Sequence, residues 1–322
     1  MRYWFGGIAL TLASLAAVLI LLTWLLWMPS MREPSYAFVR SWGELGDQAG
    51  QFNDPTGIAV TQEEIFISDA RNARIQVFDF DGRFKRQFGG SGQLGRPMNL
   101  SIHGAEVYVA DYWNDRIQVF TLDGKALRSI GGPGDGPGEF NAPSGVAITA
   151  NGDLYVADFY NHRIQHLKAD GQFIEQWGNT VEAGIWAGQF NYPTDVALAK
   201  DERLYAADGY NDRVQVFKKG EFLQKWGGPF ALNIFGPFNG WFATVTSVEV
   251  GPQGNVFVAD FYNNRIQKFT PDGTFLTTFG EEGDGQGQFN HAIAAAVTAE
   301  GIVFVVDFAN HRIQKWRPAS LD

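Results

Sequence analysis

The stretch VADFYNHRIQ, Val156–Gln165, gathers an acid, two aromatics, two amides, a histidine and an arginine within ten residues. Such a set could ligate a metal, move a proton or bind an anion. The same pattern recurs, however, at Ser68–Gln76, Ala110–Gln118, Ala207–Gln215, Ala259–Gln267 and Val306–Gln314. Its aspartates are Asp69, Asp111, Asp158, Asp208, Asp260 and Asp307, spaced by 42, 47, 50, 52 and 47 residues. Periods of that size mark a repeat architecture. The Asp-x-x-Asn-x-Arg-x-Gln element is therefore read as scaffold. Its Asp can cap a tight turn, its Asn tolerates left-handed backbone, and its Arg can pair with the Asp or a neighbouring unit.

Two other acids stand apart. Asp195 and Glu249 fall where the remaining copies carry small or neutral residues: Gly57, Asn99, Gly145, Ser247 and Ala294 in one series, Ala59, Ser101, Ala147, Ala197 and Ala296 in the next. Paired carboxylates can hold a divalent cation, or one can serve as acid or base. With no cysteine in the chain, thiol catalysis and zinc–thiolate sites are excluded. No G-x-S-x-G or H-E-x-x-H motif occurs.

Each repeat has the same grammar of elements. A Gly-Gln-Phe-Asn-x-Pro loop (Gly50–Pro55, with variants at Gly138–Pro143 and Gly188–Pro193) precedes a short apolar strand. A second strand ends in the Asp, and the Arg opens a third. Asp-Gly pairs at Asp81-Gly82, Asp123-Gly124, Asp170-Gly171 and Asp272-Gly273 predict type I′ hairpins to a fourth strand. Four antiparallel strands per unit, repeated radially, predict an all-β, six-bladed β-propeller. The last repeat lacks a fourth strand, and Phe38–Gly43 resembles one. The N-terminal strand is expected to close the sixth blade and remove an open edge.

The P-x-G-(I/V)-A-(V/I) strand and the D-x-x-N-x-R-I-Q element resemble those of the NHL-repeat family of six-bladed propellers. That resemblance implies a fold shared by peptide, protein and RNA binders and by a few enzymes. Amidating lyases with a similar propeller use several histidines converging on zinc. Here His162 and His311 occupy equivalent positions on opposite sides of the ring, and His103 and His166 fall in a turn and a third strand. Only His291 is expected near a channel mouth, which argues against a three-histidine zinc site.

If the repeated motif is scaffold, function lies where copies differ. Between Asp and Asn, blades two to five carry aromatics, including Trp113, Tyr160, Tyr210 and Tyr262. Two loops between blades are enlarged and apolar: 179–187, with Ile185 and Trp186, and 230–241, with Phe235 and Trp241. Strand order puts all of these on one face, called the top. Trp113, Tyr160, Trp186, Tyr210, Phe235, Trp241 and Tyr262 are the expected binding residues for a protein, peptide or small ligand. Asp195 and Glu249 are the candidate metal ligands. No cofactor is expected beyond a possible divalent cation in the channel. The alternative function is a lyase or hydrolase at the channel mouth, using Asp195, Glu249 and His291.

Residues 3–28 carry no charge, a run longer than the roughly 20 residues that span a bilayer. Aromatics stand at both ends, and the exit Trp27-Met28-Pro29 makes a poor signal-peptidase site. The expected organisation is one transmembrane helix (1–28), a linker (29–35) and the propeller (36–322), held in the periplasm or outside the cell. A short linker to the first strand would turn the bottom face toward the membrane and the aromatic face away. A net charge of −10 disfavours nucleic-acid binding.

Overall fold

The computed structural model describes residue 14 and residues 28–90, 92–180 and 182–319. The expected membrane segment, save for Ser14 and Met28, lies outside the described residues. Among the described residues no helix is long and apolar enough to cross a membrane.

The chain forms six four-stranded antiparallel sheets. Five run consecutively. The sixth is completed by the N-terminal strand Tyr36–Trp42, which pairs with Arg312–Pro318. The six innermost strands are Pro55–Val60, Pro97–His103, Pro143–Ile148, Pro193–Leu198, Val245–Val250 and Ala292–Val297. Alternation along each blade sends apolar side chains into the wedges between sheets. The wedge between blades six and one, for instance, packs Ile58, Ile65 and Ile67 against Phe304, Val306 and Ile313. Aromatics that end the fourth strands fill the outer part of the wedges, except at blade two, where the strand ends in Ile130. Trp42 lies against Phe78 and Phe304, and Trp226 against Tyr205 and Phe269.

The Asp-Gly hairpins differ from the expected type. Gly82 has φ +76, but Asp81 stays out of the left-handed region. The Gly82 N–H donates to the Asp79 carbonyl (3.0 Å), and Asp79 N–H donates to Arg83 (3.0 Å). This is a type I turn followed by a left-handed glycine, one residue longer than a type I′ loop. The extra residue appears as a bulge between Val77 and Phe78.

The linker also departs from expectation. Arg32 and Glu33 N–H groups both donate to the Leu276 carbonyl, at 2.7 and 3.2 Å. Ser35 Oγ donates to the Thr278 carbonyl, and Glu33 pairs with Lys268. The linker thus lines the outer strand of blade five. At its start, the Pro29 carbonyl accepts from Asn239 Nδ2 at 3.0 Å. The chain arrives beside the enlarged loop 230–241, not at the bottom face.

The repeated motif is the fastener of every blade. In blade four, Asp208 Oδ2 accepts from Arg213 Nε (2.7 Å), Asn211 Nδ2 (2.9 Å) and Gln215 Nε2 (3.0 Å). Its Oδ1 accepts the backbone N–H of Asn191 in the inbound loop (2.8 Å). The Arg213 guanidinium then donates to the carbonyls of Ile185, Trp186, Gln189 and Ala231. One buried ion pair therefore folds the inbound loop around itself. Blade two is looser. Its loop lacks the Phe-Asn pair, and Arg116 stands 3.3 Å from Asp111 with 27% of its side chain exposed. Removing one partner of a fully buried pair leaves an uncompensated charge, at a cost of roughly 3–5 kcal/mol. Arg213→Met is expected to lose about that much stability in urea unfolding, and Arg116→Met clearly less. Equal losses would show that burial of the pair is not what matters.

Candidate functional site

Two cavities lie along the propeller axis. The upper, about 230 Å³, opens among the top-face turns and is lined by Arg96, Met98, Asn99, Tyr112, Phe159 and a ring of hydroxyls. Those hydroxyls clasp neighbouring blades. Thr56 Oγ1 donates to the Pro97 carbonyl, Ser144 Oγ to Pro193, Thr194 Oγ1 to Val245 and Thr246 Oγ1 to Ile293. Met98 and Ile293 occupy the same position in blades two and six and make no such clasp. The lower cavity, about 240 Å³, is lined by Asn99, Ser101, Asp195, Ser247 and Glu249.

The strand pattern thus brings Asp195 and Glu249 together, as expected. Asp195 is buried, and its Oδ2 accepts the Val248 N–H at 3.1 Å. Blade three makes room for it: a Cβ at Gly145 would stand 2.5 Å from the Asp195 carboxylate. Burial pushes Asp195 up to about 7, against hydrogen bonds from Val248, Ser247, Val196 and Asn99. Burial, then the charge of Asp195, pushes Glu249 up to about 8. Glu249 is half-buried at the wall of that cavity. Among the described residues, no cluster of three or more His, Asp or Glu side chains is arranged to hold a metal. His291 lines neither cavity. It stacks on Phe261 with centroids 4.4 Å apart, and its N–H donates to Asn264.

The other histidines are structural or remote. His162 Nδ1 accepts the Tyr192 N–H (3.1 Å), and His311 Nδ1 accepts that of Asp54 (3.4 Å). Asp115, Asp212 and Asn264 do the same for Ala142, Thr244 and His291. In each case a left-handed residue in one blade's turn holds a left-handed residue in the next blade's loop. His166 lies on blade three's third strand, stacked on Tyr155 and 3.3 Å from Glu175.

On the top face, Trp113, Tyr160, Tyr210 and Tyr262 are exposed. Below them an inner row, Tyr112, Phe159 and Tyr192, carries the belt, with Phe159–Tyr192 and Tyr192–Tyr210 centroids both 4.9 Å apart. Tyr192 was not legible as a site residue, because its position holds Asp54 and Ala142 in other loops. Burial and a hydrogen bond with Tyr160 push the Tyr112 phenol well above its usual range. Arg96 stands at the mouth, over the Trp113 ring at 5.6 Å. In the enlarged loops Trp186 and Phe235 are exposed, along with Phe230. Trp241 is not exposed. It packs edge-on against Phe238 (5.2 Å), and its carbonyl accepts from Arg265 and Gln267.

The NHL repeat model matches residues 52–78, 140–167, 190–217 and 242–269, so blades one, three, four and five are NHL repeats. A segment of 48 residues is 54% identical to Protein brain tumor of Drosophila melanogaster, covering 15% of this chain and 5% of that protein. The chain therefore spans only a small part of that relative. Among solved structures, a structural-genomics protein from Bacteroides thetaiotaomicron is similar with a TM-score of 0.67 and 15% identity, covering 87% of this chain and 75% of that one. A streptogramin B lyase is similar with a TM-score of 0.60 and 14% identity, covering 90% and 100%. At such identities the likeness is one of fold.

The axial carboxylates set a pH dependence. Their folded pKa values of about 7 and 8 lie above the ordinary 3.8 and 4.5. Between those limits the folded chain binds more protons than the unfolded chain, so stability falls as pH rises. An Asp195→Asn, Glu249→Gln double variant is expected to melt near wild type at pH 4 and above it at pH 8. Parallel melting curves across that range would contradict the assignment.

Proposed function

We propose that this propeller is a membrane-tethered, non-catalytic binding module that recognises a protein or peptide on its aromatic top face. One observation carries the reading. At one position in four successive blades, an aromatic side chain stands exposed beside a motif that is otherwise buried. Nothing in the fasteners requires Trp113, Tyr160, Tyr210 or Tyr262. Aromatics of this kind supply large, rigid contact area and are favoured anchors of interfaces. They frame a mouth whose cation, Arg96, can meet an acidic or C-terminal carboxylate. A net charge of −10 disfavours nucleic acid. The uncharged run 3–28 supports a tether, and with it a periplasmic or extracellular location.

A second reading, a metal-assisted lyase or hydrolase, draws on Asp195 and Glu249. Two carboxylates without a third protein ligand make a weak cage for a catalytic metal, which is why binding is preferred.

The full chain, immobilised and exposed to membrane and envelope extracts, is expected to retain a partner identifiable by cross-linking. Trp113→Ser, Tyr210→Ser, Tyr262→Ser should lose that partner while keeping wild-type circular dichroism and melting temperature. Retention by the folded triple variant would remove the top-face assignment.

A further inference from the structure

The enlarged loops expose an apolar patch that the top-face reading does not use. Phe230 is 75% and Phe235 70% exposed, with Ile234 beside them and Ile185 and Trp186 from the preceding inbound loop. The two loops meet at Arg213, which donates to the carbonyls of Ile185 and Ala231 alike. From Trp226 to Val248 there is no charged residue. Large exposed apolar residues on an otherwise polar surface mark a contact site.

Their position names the contact. Pro29 is pinned to Asn239 of the same loop, and a side chain at Gly240 would stand 3.4 Å from the Pro29 ring. The expected membrane segment, within an uncharged stretch that continues to Met31, ends at residue 28, one residue before that point. Whatever bilayer takes up that run must lie within a few ångströms of loop 230–241. Met31, also exposed, lies on the same approach.

We propose that Phe230, Ile234 and Phe235, flanked by Ile185 and Trp186, insert into the interfacial layer of the bilayer that holds residues 3–28. The inference rests on the tether in the proposed function and reverses the orientation expected from the sequence. The rim of the top face at blades four and five meets the membrane, and the bottom face points away. The aromatic mouth then opens at the membrane surface, where its partner would be a membrane-bound protein. Phe and Trp suit this layer, since partial burial among headgroups and acyl chains removes apolar area from water.

The chain has no cysteine, so a single introduced one carries a probe at one place. The full chain bearing Phe235→Cys, labelled with an environment-sensitive fluorophore, is reconstituted in phosphatidylcholine vesicles containing acyl-chain nitroxide lipid. Phe230→Cys serves as a second site, and Gln62→Cys, exposed on the bottom face, as the control. Loss of fluorescence at both patch sites but not at Gln62 is the expected result. Full fluorescence at all three sites, with the chain still floating with vesicles, overturns the membrane contact and leaves the tether intact. Quenching only at Gln62 restores the opposite orientation and overturns the proposal. A blue-shifted but unquenched patch overturns it in favour of a second protein copy. A chain that does not float with vesicles removes the tether and the proposal together, without touching the aromatic face.

Discussion

Everything in this propeller depends on a carboxylate paired with an arginine where water cannot reach it. A buried charge is costly unless its partner and remaining lone pairs are satisfied. Asp69 meets that demand with Arg74, Asn72 and Gln76 from its own blade and with the Asn53 N–H of the inbound loop. The other blades repeat the set except blade two, where Gln118 turns to the Val119 and Arg128 carbonyls instead of Asp111. The guanidinium's other protons then need acceptors, and loop carbonyls supply them. The loops carry little secondary structure, a two-residue parallel pairing of Glu281–Glu282 with Gln288–Phe289 before blade six and a single 3-10 turn at Pro229–Ala231 before blade five, so this hydrogen-bond shell largely sets their shape. Blade two illustrates the rule by exception. In the loop without the Phe-Asn pair, the Gln93 carbonyl accepts from Arg116, and the ion pair is longer, at 3.3 Å.

Because the fastener uses backbone carbonyls, it tolerates substitution and insertion between its anchor points. Arg213 reaches two loops at once, so the lengthened loop before blade five begins from a fixed carbonyl at Ala231. The residues between Asp and Asn make no part of the shell, which leaves them open to aromatic side chains. Scaffold and surface are thereby separable. The motif most suggestive of chemistry holds the ring together, and the less regular residues beside it face solvent.

The blades, the closing strand and the facing carboxylates were legible because each depends on a short period repeated many times. An error in one copy is corrected by five others. Features spread across two blades were not. The hydroxyl clasp of Thr56 reaches a carbonyl 41 residues on, and the His162 acceptor serves an N–H 30 residues away. Neither has a local signature. The Asp-Gly pairs indicated hairpins correctly but not their length, because the dipeptide is common to both turn types. Trp241 read as exposed because its loop is apolar, yet the loop folds that ring onto Phe238. The linker has no periodicity, so only its contacts with Leu276, Thr278 and Asn239 reveal its path.

The axial cavity is where scaffold and catalyst part most clearly. If Asp195 and Glu249 are interior groups of a binding module, protons and neighbouring amides neutralise them, and no ion is needed. Metal analysis of the full chain, purified without chelator, beside the Asp195→Asn, Glu249→Gln double variant, tests this directly. A binding module should carry no stoichiometric metal in either protein. One divalent ion per chain, lost in the double variant, would contradict it and move the function from the top face to the channel.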